Sequence, residues 1–139
     1  MEEIKKLFAG NELIGKFGMS YLDSTLEGIL RSDLILIGAR TGAGKSTIAN
    51  QIAYHNAKNG VKVSLFSLEN YEHEFELIEL FKECQRLSYD HEINYKKFKS
   101  GIRTHPQEII TKASGNVREN TKNINLAARK PGGFNIEDM

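Results

Sequence analysis

Apolar residues follow two different periods along the chain, and these periods predict alternating strands and helices. Residues 33–38 are apolar almost throughout, which is typical of a strand covered on both faces. From Lys45 the apolar positions recur at helical spacing as far as Asn59 and Gly60, a pair that favours a helix C-cap. Residues 61–68 are rich in β-forming residues and predict a second buried strand. This order predicts a βαβ unit with a right-handed crossover.

Downstream, the helical period returns and then gives way to a short third strand. After residue 70, apolar side chains share one broad face, while glutamates crowd the first turn, where the helix dipole favours anions. The apolar positions are Phe75, Leu77, Ile78, Leu80, Phe81, Cys84 and Leu87, and the glutamates are Glu72, Glu74 and Glu76. Residues 92–100 and 106–118 are also helical in pattern, and residues 124–128 predict the strand. The predicted fold class is α/β, a parallel sheet flanked by helices.

The two ends of the chain are set apart from this pattern. Residues 2–9 have apolar positions at helical spacing and predict a short helix that docks or serves as a linker. At the other end, Asn135 with an acid three positions on is the signature of a helix about to start. A helix of one turn does not stabilise itself, so we expect the chain to be a fragment of a longer protein. We assign residues 1–20 to a linker or docking helix and an approach segment, and residues 21–139 to one domain.

The composition is that of an ordinary globular domain. Its 139 residues are 40% hydrophobic, and a formal net charge of +1 gives no reason to expect a nucleic-acid or membrane partner from total charge alone. No stretch approaches the roughly 18 apolar residues of a membrane helix. The one cysteine, Cys84, has no second thiol in the sequence, which favours a buried thiol in a cytosolic protein. We therefore expect a cytoplasmic protein with no membrane partner.

The turn between the first predicted strand and the helix carries a chemical signature. Residues 38–47 read GARTGAGKST, and residues 39–46 fit the phosphate-loop pattern with alanine in place of the first glycine. In such a loop, glycines let backbone N–H groups converge on phosphate oxygens, and the following helix turns its positive end toward them. A glycine-rich surface turn is the plain alternative, but it accounts for neither the lysine nor the serine. The pattern predicts an ATP site that uses Mg²⁺.

Each residue of this loop has an expected role. We expect Lys45 to reach the β- and γ-phosphates, Ser46 to ligate Mg²⁺, and Thr47 to add a hydroxyl at the α-phosphate. Hydrolysis also needs a group that orients or deprotonates the attacking water. Glu69 follows the second predicted strand and is the candidate, although on spacing alone it equally fits the solvated acidic stretch or a cap of the next helix. The other expected nucleotide-binding residues are Ala39, Arg40, Thr41, Gly42, Ala43 and Gly44.

The run from Asp33 to Asn70 resembles the RecA-like motor domain of DnaB-type replicative helicases of bacteria and phages; it reads DLILIGARTGAGKSTIANQIAYHNAKNGVKVSLFSLEN. That family has a similar Asp-Leu opening, an Ala-Arg before the loop and a strand that ends in Ser-Leu-Glu. The resemblance implies that Glu69 is the catalytic base, and that Lys45 and Ser46 contact phosphate and magnesium. It also implies a RecA-like P-loop fold and an ATP-driven DNA helicase, acting on single-stranded DNA as a hexamer in a bacterial or phage-infected cell.

The sequence departs from this family in one respect that bears on mechanism. The family's metal-coordinating aspartate ends a later apolar strand, whereas the candidate strand at 124–128 carries no acid. The arginine finger and the DNA-binding loops of the family also lie downstream. We therefore expect residues 21–139 to be an ATPase domain truncated before the Walker B strand, and the fragment itself to be inactive or weakly active.

Other functions stay open at this level. A recombinase-like or clock-type RecA ATPase shares the loop and a glutamate in a similar place, and a non-hydrolysing nucleotide-binding module would lack the aspartate. Residues 69–92 hold eight acids against two bases, and residues 95–130 hold nine bases against two acids. The basic stretch invites direct DNA binding, although a solvated face or a subunit contact is the favoured interpretation. The histidines lack partners at metal-ligand spacing, so we do not expect zinc; they are His55, His73, His91 and His105.

Overall fold

The structure is a computed structural model that describes residues 12–67, 72–89 and 92–128. These residues fall into two compact units, divided after Val63. The first unit contains β1 (Leu13–Gly15), α1 (Ser20–Leu26), β2 (Ile29–Leu30) and α2 (Lys45–Lys58). The other elements are β3 (Val63–Ser67), α3 (Glu72–Ser88), α4 (Tyr95–Lys99), α5 (Gln107–Thr121) and β4 (Ile124–Ala128). The predicted α/β class is confirmed. Within the described ranges, no helix is long and apolar enough to cross a membrane.

The first unit begins with a small antiparallel sheet of two strands that the sequence pattern did not predict. Strands β1 and β2 pair antiparallel, with an irregular register between the Leu13–Leu30 and Gly15–Ile29 pairs. Helix α1 lies between the two strands in the chain. The Asp23 carboxylate of this helix accepts a 2.7 Å hydrogen bond from the Phe17 N–H, which connects the helix to the segment just before it. Strands of three and two residues are too short to show a period of two.

Asn56, a buried residue of α2, holds this two-stranded sheet against the helix. The Lys16 N–H donates to Asn56 Oδ1 at 2.9 Å, and Asn56 Nδ2 donates to the Lys16 carbonyl at 2.6 Å. The side-chain amide therefore satisfies both backbone groups of Lys16, as a neighbouring strand would. The backbone lies so close that a Cβ added to Gly15 would be 2.6 Å from Asn56 Oδ1.

Helix α2 confirms the helix that was predicted to start at Lys45. Asn59 is its C-cap, and Gly60 follows in a left-handed conformation with φ of 88°. Glycine adopts that conformation without the steric penalty of a side chain, which explains why the helix ends there.

The strand predicted for residues 33–38 is wrong for this structure. The described chain has no strand there, and Leu34 and Leu36 are 97% and 94% exposed. A strand needs a neighbour that pairs with its backbone, and neither the β1–β2 sheet nor the β3–β4 sheet includes this segment. The βαβ unit predicted around α2 is therefore also not formed among the described residues. An apolar run identifies side chains that favour burial, but it does not supply the pairing partner.

Strands β3 and β4 form a small parallel sheet, and three helices connect them along the chain. The strands predicted at 61–68 and 124–128 are confirmed, the first with shorter bounds. The expectation that the first is fully buried is wrong, because β3 alternates between half-buried and exposed positions and Phe66 is 60% exposed. A strand covered on one face only shows this alternation. The helix predicted after residue 70 is α3, and the patterns at 92–100 and 106–118 correspond to α4 and α5.

The core of the second unit lies where α3 packs against α4 and α5. Its buried members are Phe81, Cys84, Ile93, Phe98 and Ala113. The ring centroid of Phe81 lies 5.3 Å from that of Phe98, a tilted arrangement that aromatic pairs favour. Cys84 is fully buried, as the sequence predicted, and burial, with the nearby Glu83 carboxylate, raises the pKa of its thiol to about 11. This thiol is a packing residue.

Helix α3 also buries two carboxylates, and each has a cationic neighbour on the same helix. Glu83 accepts hydrogen bonds from the Arg86 guanidinium at 2.6 and 2.8 Å, and from Asn116 Nδ2 of α5 at 2.7 Å. Glu79 is 3% exposed and accepts a 2.7 Å hydrogen bond from Lys82 Nζ. Burial raises the pKa of Glu79, and the hydrogen bond and charge of Lys82 oppose that rise.

Candidate nucleotide-binding site

The loop at residues 38–47, hereafter the phosphate loop, leads directly into the N-terminus of α2. Gly42 and Gly44 have φ of 79° and 94°, the left-handed region that side chains disfavour. The Ala43 N–H donates to the Arg40 carbonyl at 3.1 Å and closes the turn. The first N–H groups of a helix have no partner within it, so this loop presents unpaired donors at the positive end of the α2 dipole.

Space and charge at this end of α2 suit an anion. Apart from the two neighbours of Gly42 in the chain, no heavy atom of the described residues lies within 4 Å of the position that its Cβ would occupy, so the backbone is accessible there. The first turn of α2 contains no acidic residue that would oppose a phosphate. Ser46 and Thr47 are exposed in that turn, with their hydroxyls on the same helix end as the unpaired amides.

Lys45 is the first residue of α2, and its side chain folds back over the loop. Its Nζ donates to the carbonyls of Ala39 and Arg40, at 3.2 and 3.3 Å. The ammonium therefore lies above the same backbone segment whose N–H groups would hold a phosphate. The sequence motif predicted the lysine but not these carbonyl partners, which depend on the path of the loop.

The residues present fit a magnesium–nucleoside triphosphate complex. Backbone N–H groups and an ammonium are donors for phosphate oxygens, and a serine hydroxyl is a suitable ligand for Mg²⁺, which keeps several of its ligands as phosphate oxygens and water. Among the described residues, no group of three or more His, Cys, Asp or Glu side chains is arranged to hold a metal ion. All the loop residues predicted to bind nucleotide, from Ala39 to Thr47, lie together in this one turn.

Glu69, the residue predicted to act on the attacking water, lies outside the described residues. Its role stays a prediction. The nearest described residues on either side are Ser67, at the end of β3, and Glu72, at the start of α3.

The basic stretch at 95–130 is less uniformly cationic in the structure than in the sequence. Lys99 pairs with Glu74 at 3.1 Å, and this hydrogen bond raises the pKa of Lys99. Arg103 pairs with Glu92 at 3.1 Å, whereas Lys96 and Lys97 are exposed on α4. Direct DNA binding by this stretch stays a prediction.

Of the histidines, His105 is a core residue of the second unit. It is 3% exposed, its Nδ1 lies 3.1 Å from Ser88 Oγ, and its ring lies 6.0 Å from that of Phe98. A histidine in these surroundings packs among aromatic rings and is not placed to bind a metal.

No curated protein matches the chain. A model of the DnaB-like helicase C-terminal domain matches residues 16–139, a range that begins just after β1 and includes the whole phosphate loop. That domain is the RecA-like ATPase domain of DnaB-type helicases, so the predicted RecA-like fold and the resemblance are confirmed. The match covers far more than half of the chain, and the protein belongs to the family of DnaB-like helicase C-terminal domains.

Proposed function

We propose that this chain is the nucleotide-binding part of an ATP-dependent DNA helicase of the replicative type. The observation that supports the proposal is the phosphate loop. Two glycines at positive φ immediately precede α2, and Lys45 is the first residue of that helix. Membership in the DnaB-like family supports helicase and ATPase activity at the level of the family. Nucleotide and Mg²⁺ use is general in that family, and the donor set of the loop is suited to both.

The residues of the phosphate loop have different roles in nucleotide binding. The amides that follow Gly42 hold phosphate oxygens, since glycine leaves them accessible. Lys45 leaves its carbonyl partners and pairs with the β- and γ-phosphates, where its charge is better compensated. Ser46 supplies a hydroxyl ligand to Mg²⁺. When bound, the metal neutralises charge on the phosphates during transfer.

Hydrolysis requires a further group, and we assign it to Glu69. A carboxylate at the carboxyl end of a strand beside the phosphate loop is placed to orient the attacking water. We further propose that the protein acts on single-stranded DNA as a hexamer, with ATP held between neighbouring subunits. A site shared between subunits explains why an isolated chain would turn over ATP slowly.

The test is ATP hydrolysis by the full-length protein, measured with and without single-stranded DNA. We expect DNA to stimulate turnover, and Glu69→Gln to abolish hydrolysis while ATP binding is retained. Glu76→Gln, at an exposed glutamate of α3, is the matched control and should leave turnover unchanged. Turnover that is indifferent to DNA would favour a different RecA-like ATPase. Binding without any turnover in the wild type would favour a non-hydrolysing nucleotide-binding module.

A further inference from the structure

The apolar contacts in the N-terminal half of α2 do not by themselves fix the direction of the helix. Ile48 and Ile52, on its first two turns, face an open groove of 620 Å³ that is also lined by Phe17, Met19 and Leu22. Both isoleucines are half-buried, so they make fewer packing contacts than they would in a closed interior. The half of α2 that carries the phosphate loop is therefore weakly restrained by its own apolar face.

The other half of α2 is held tightly, both by the buried side chains of Ala53 and Ala57 and by polar contacts. Asn56 is 7% exposed, and its amide bonds both backbone groups of Lys16, a residue 40 positions away. A second close approach lies alongside, where a Cβ on Gly18 would be 2.5 Å from the His55 ring. Two adjacent helix residues thus contact backbone that has no room for a side chain.

We propose that Asn56 is a positioning residue for the phosphate loop. By holding the last turns of α2 against Lys16, it fixes the direction in which the N-terminus of the helix presents Lys45 and the loop amides. This inference rests on the proposed nucleotide site. Asn56 contacts neither nucleotide nor metal in this proposal. It affects the site only by fixing the direction of the α2 axis.

A small rotation of α2 around its contact at Asn56 produces a larger displacement at the N-terminal end of the helix. Asn56 follows Lys45 by 11 positions, which at about 1.5 Å per residue places the loop about 16 Å from the contact with Lys16. A tilt of about 10° around that contact displaces the loop by about 3 Å, the length of a hydrogen bond. A displacement of that size breaks the hydrogen bonds between the loop amides and the phosphate oxygens that they are proposed to hold. The hydrogen bonds of Asn56 prevent such a tilt.

A double-mutant cycle between Gly15 and Asn56 tests this role from both sides of the contact. All three nearest atoms to a Cβ on Gly15 belong to Asn56, the closest at 2.6 Å, so Gly15→Ala collides with that side chain alone. Asn56→Ala removes the hydrogen bonds and also makes room for the added methyl group. We expect each single variant to weaken ATP binding about tenfold, which corresponds to the net contribution of about one hydrogen bond. The double variant should be no worse than Asn56→Ala, because the collision is then gone.

The readout is KM and kcat for ATP hydrolysis, with the Kd of ATP by calorimetry. A displaced loop raises KM and Kd and leaves kcat at saturating ATP close to that of the wild type. A purely structural role instead lowers kcat through a smaller folded fraction, with KM unchanged, and that result would overturn the inference. The matched control is Gly115→Ala in α5, where no atom of the described chain outside the adjacent helix backbone lies within 4 Å of the new Cβ. If Asn56→Ala does not fold, Gly15→Ala against Gly115→Ala gives the same comparison.

A wild type that does not bind ATP refutes the proposed function, whereas normal binding by the wild type and both single variants refutes only the inference.

Discussion

Replacing Gly44 by alanine tests whether the backbone conformation of the phosphate loop is required for nucleotide binding. Gly44 has φ of 94°, and a Cβ at this position would make only ordinary contacts, at 3.9 Å from the Thr47 Cβ and 4.0 Å from its Oγ1. Steric collision is therefore not the expected effect. The effect is conformational, since an L-residue is disfavoured in the left-handed region by about 1–2 kcal/mol.

That penalty converts into an expected loss of affinity. If ATP binds only the conformation with positive φ at Gly44, a penalty of about 1–2 kcal/mol weakens binding by about 5- to 30-fold. The thermal midpoint should change little, because the loop is largely exposed and carries few packing contacts. The assay is calorimetric titration of ATP with Mg²⁺ into the wild type and the variant, with a thermal melt of each.

Gly38→Ala is the matched control for this experiment. It makes the same chemical change at the start of the loop, but the φ of Gly38 is not positive, and beyond its chain neighbours no atom in the described ranges lies within 4 Å of the new Cβ. We expect it to bind ATP as the wild type does. Equal affinity of Gly44→Ala and Gly38→Ala would refute the reasoning, because the positive φ at Gly44 would then be irrelevant to binding.

Two further predictions concern the second unit. Glu79 is buried and burial raises its pKa above the ordinary glutamate value of 4.5, so its protonated form favours folding below pH 4.5 and that contribution is lost as the pH rises through the raised pKa. Glu79→Gln should therefore raise Tm relative to wild type at pH 7.5, with the difference shrinking toward pH 4.5; a difference independent of pH in thermal melts would contradict this. Phe81→Ala should lower the free energy of unfolding by about 3–5 kcal/mol in urea titration, since Phe81 is 9% exposed and packs among aromatic rings. Phe66→Ala, at a side chain that is 60% exposed, is the control, and an equal loss in both variants would show that burial does not set the effect.

Elements whose signals are local in sequence were predictable. Helix α2 combines a helical period with a cap at Asn59 and Gly60, and both signals are within the helix or next to it. The phosphate loop was equally predictable from the sequence, because its glycines, lysine and serine lie within ten residues and their chemistry depends on their spacing alone.

Features that depend on distant partners were not predictable. Residues 33–38 have the composition of a buried strand, but strand formation needs a pairing neighbour that the described sheets do not provide. The contact between Asn56 and Lys16 spans 40 positions, and the sequence gives only an indirect sign of it in Gly15 and Gly18, two glycines in a short approach segment. The role of Glu69 rests on resemblance, because that residue lies outside the described ranges.

The central claim is that the phosphate loop binds a nucleoside triphosphate through Lys45. Its most direct test is calorimetric titration of ATP with Mg²⁺ into the wild type and Lys45→Ala. Lys45 Nζ lies within 3.3 Å of two loop carbonyls, so the ammonium is already above the segment where phosphate would be held. We predict a measurable binding isotherm for the wild type and none for Lys45→Ala at the same concentrations. Equal affinity of the two proteins would contradict the account.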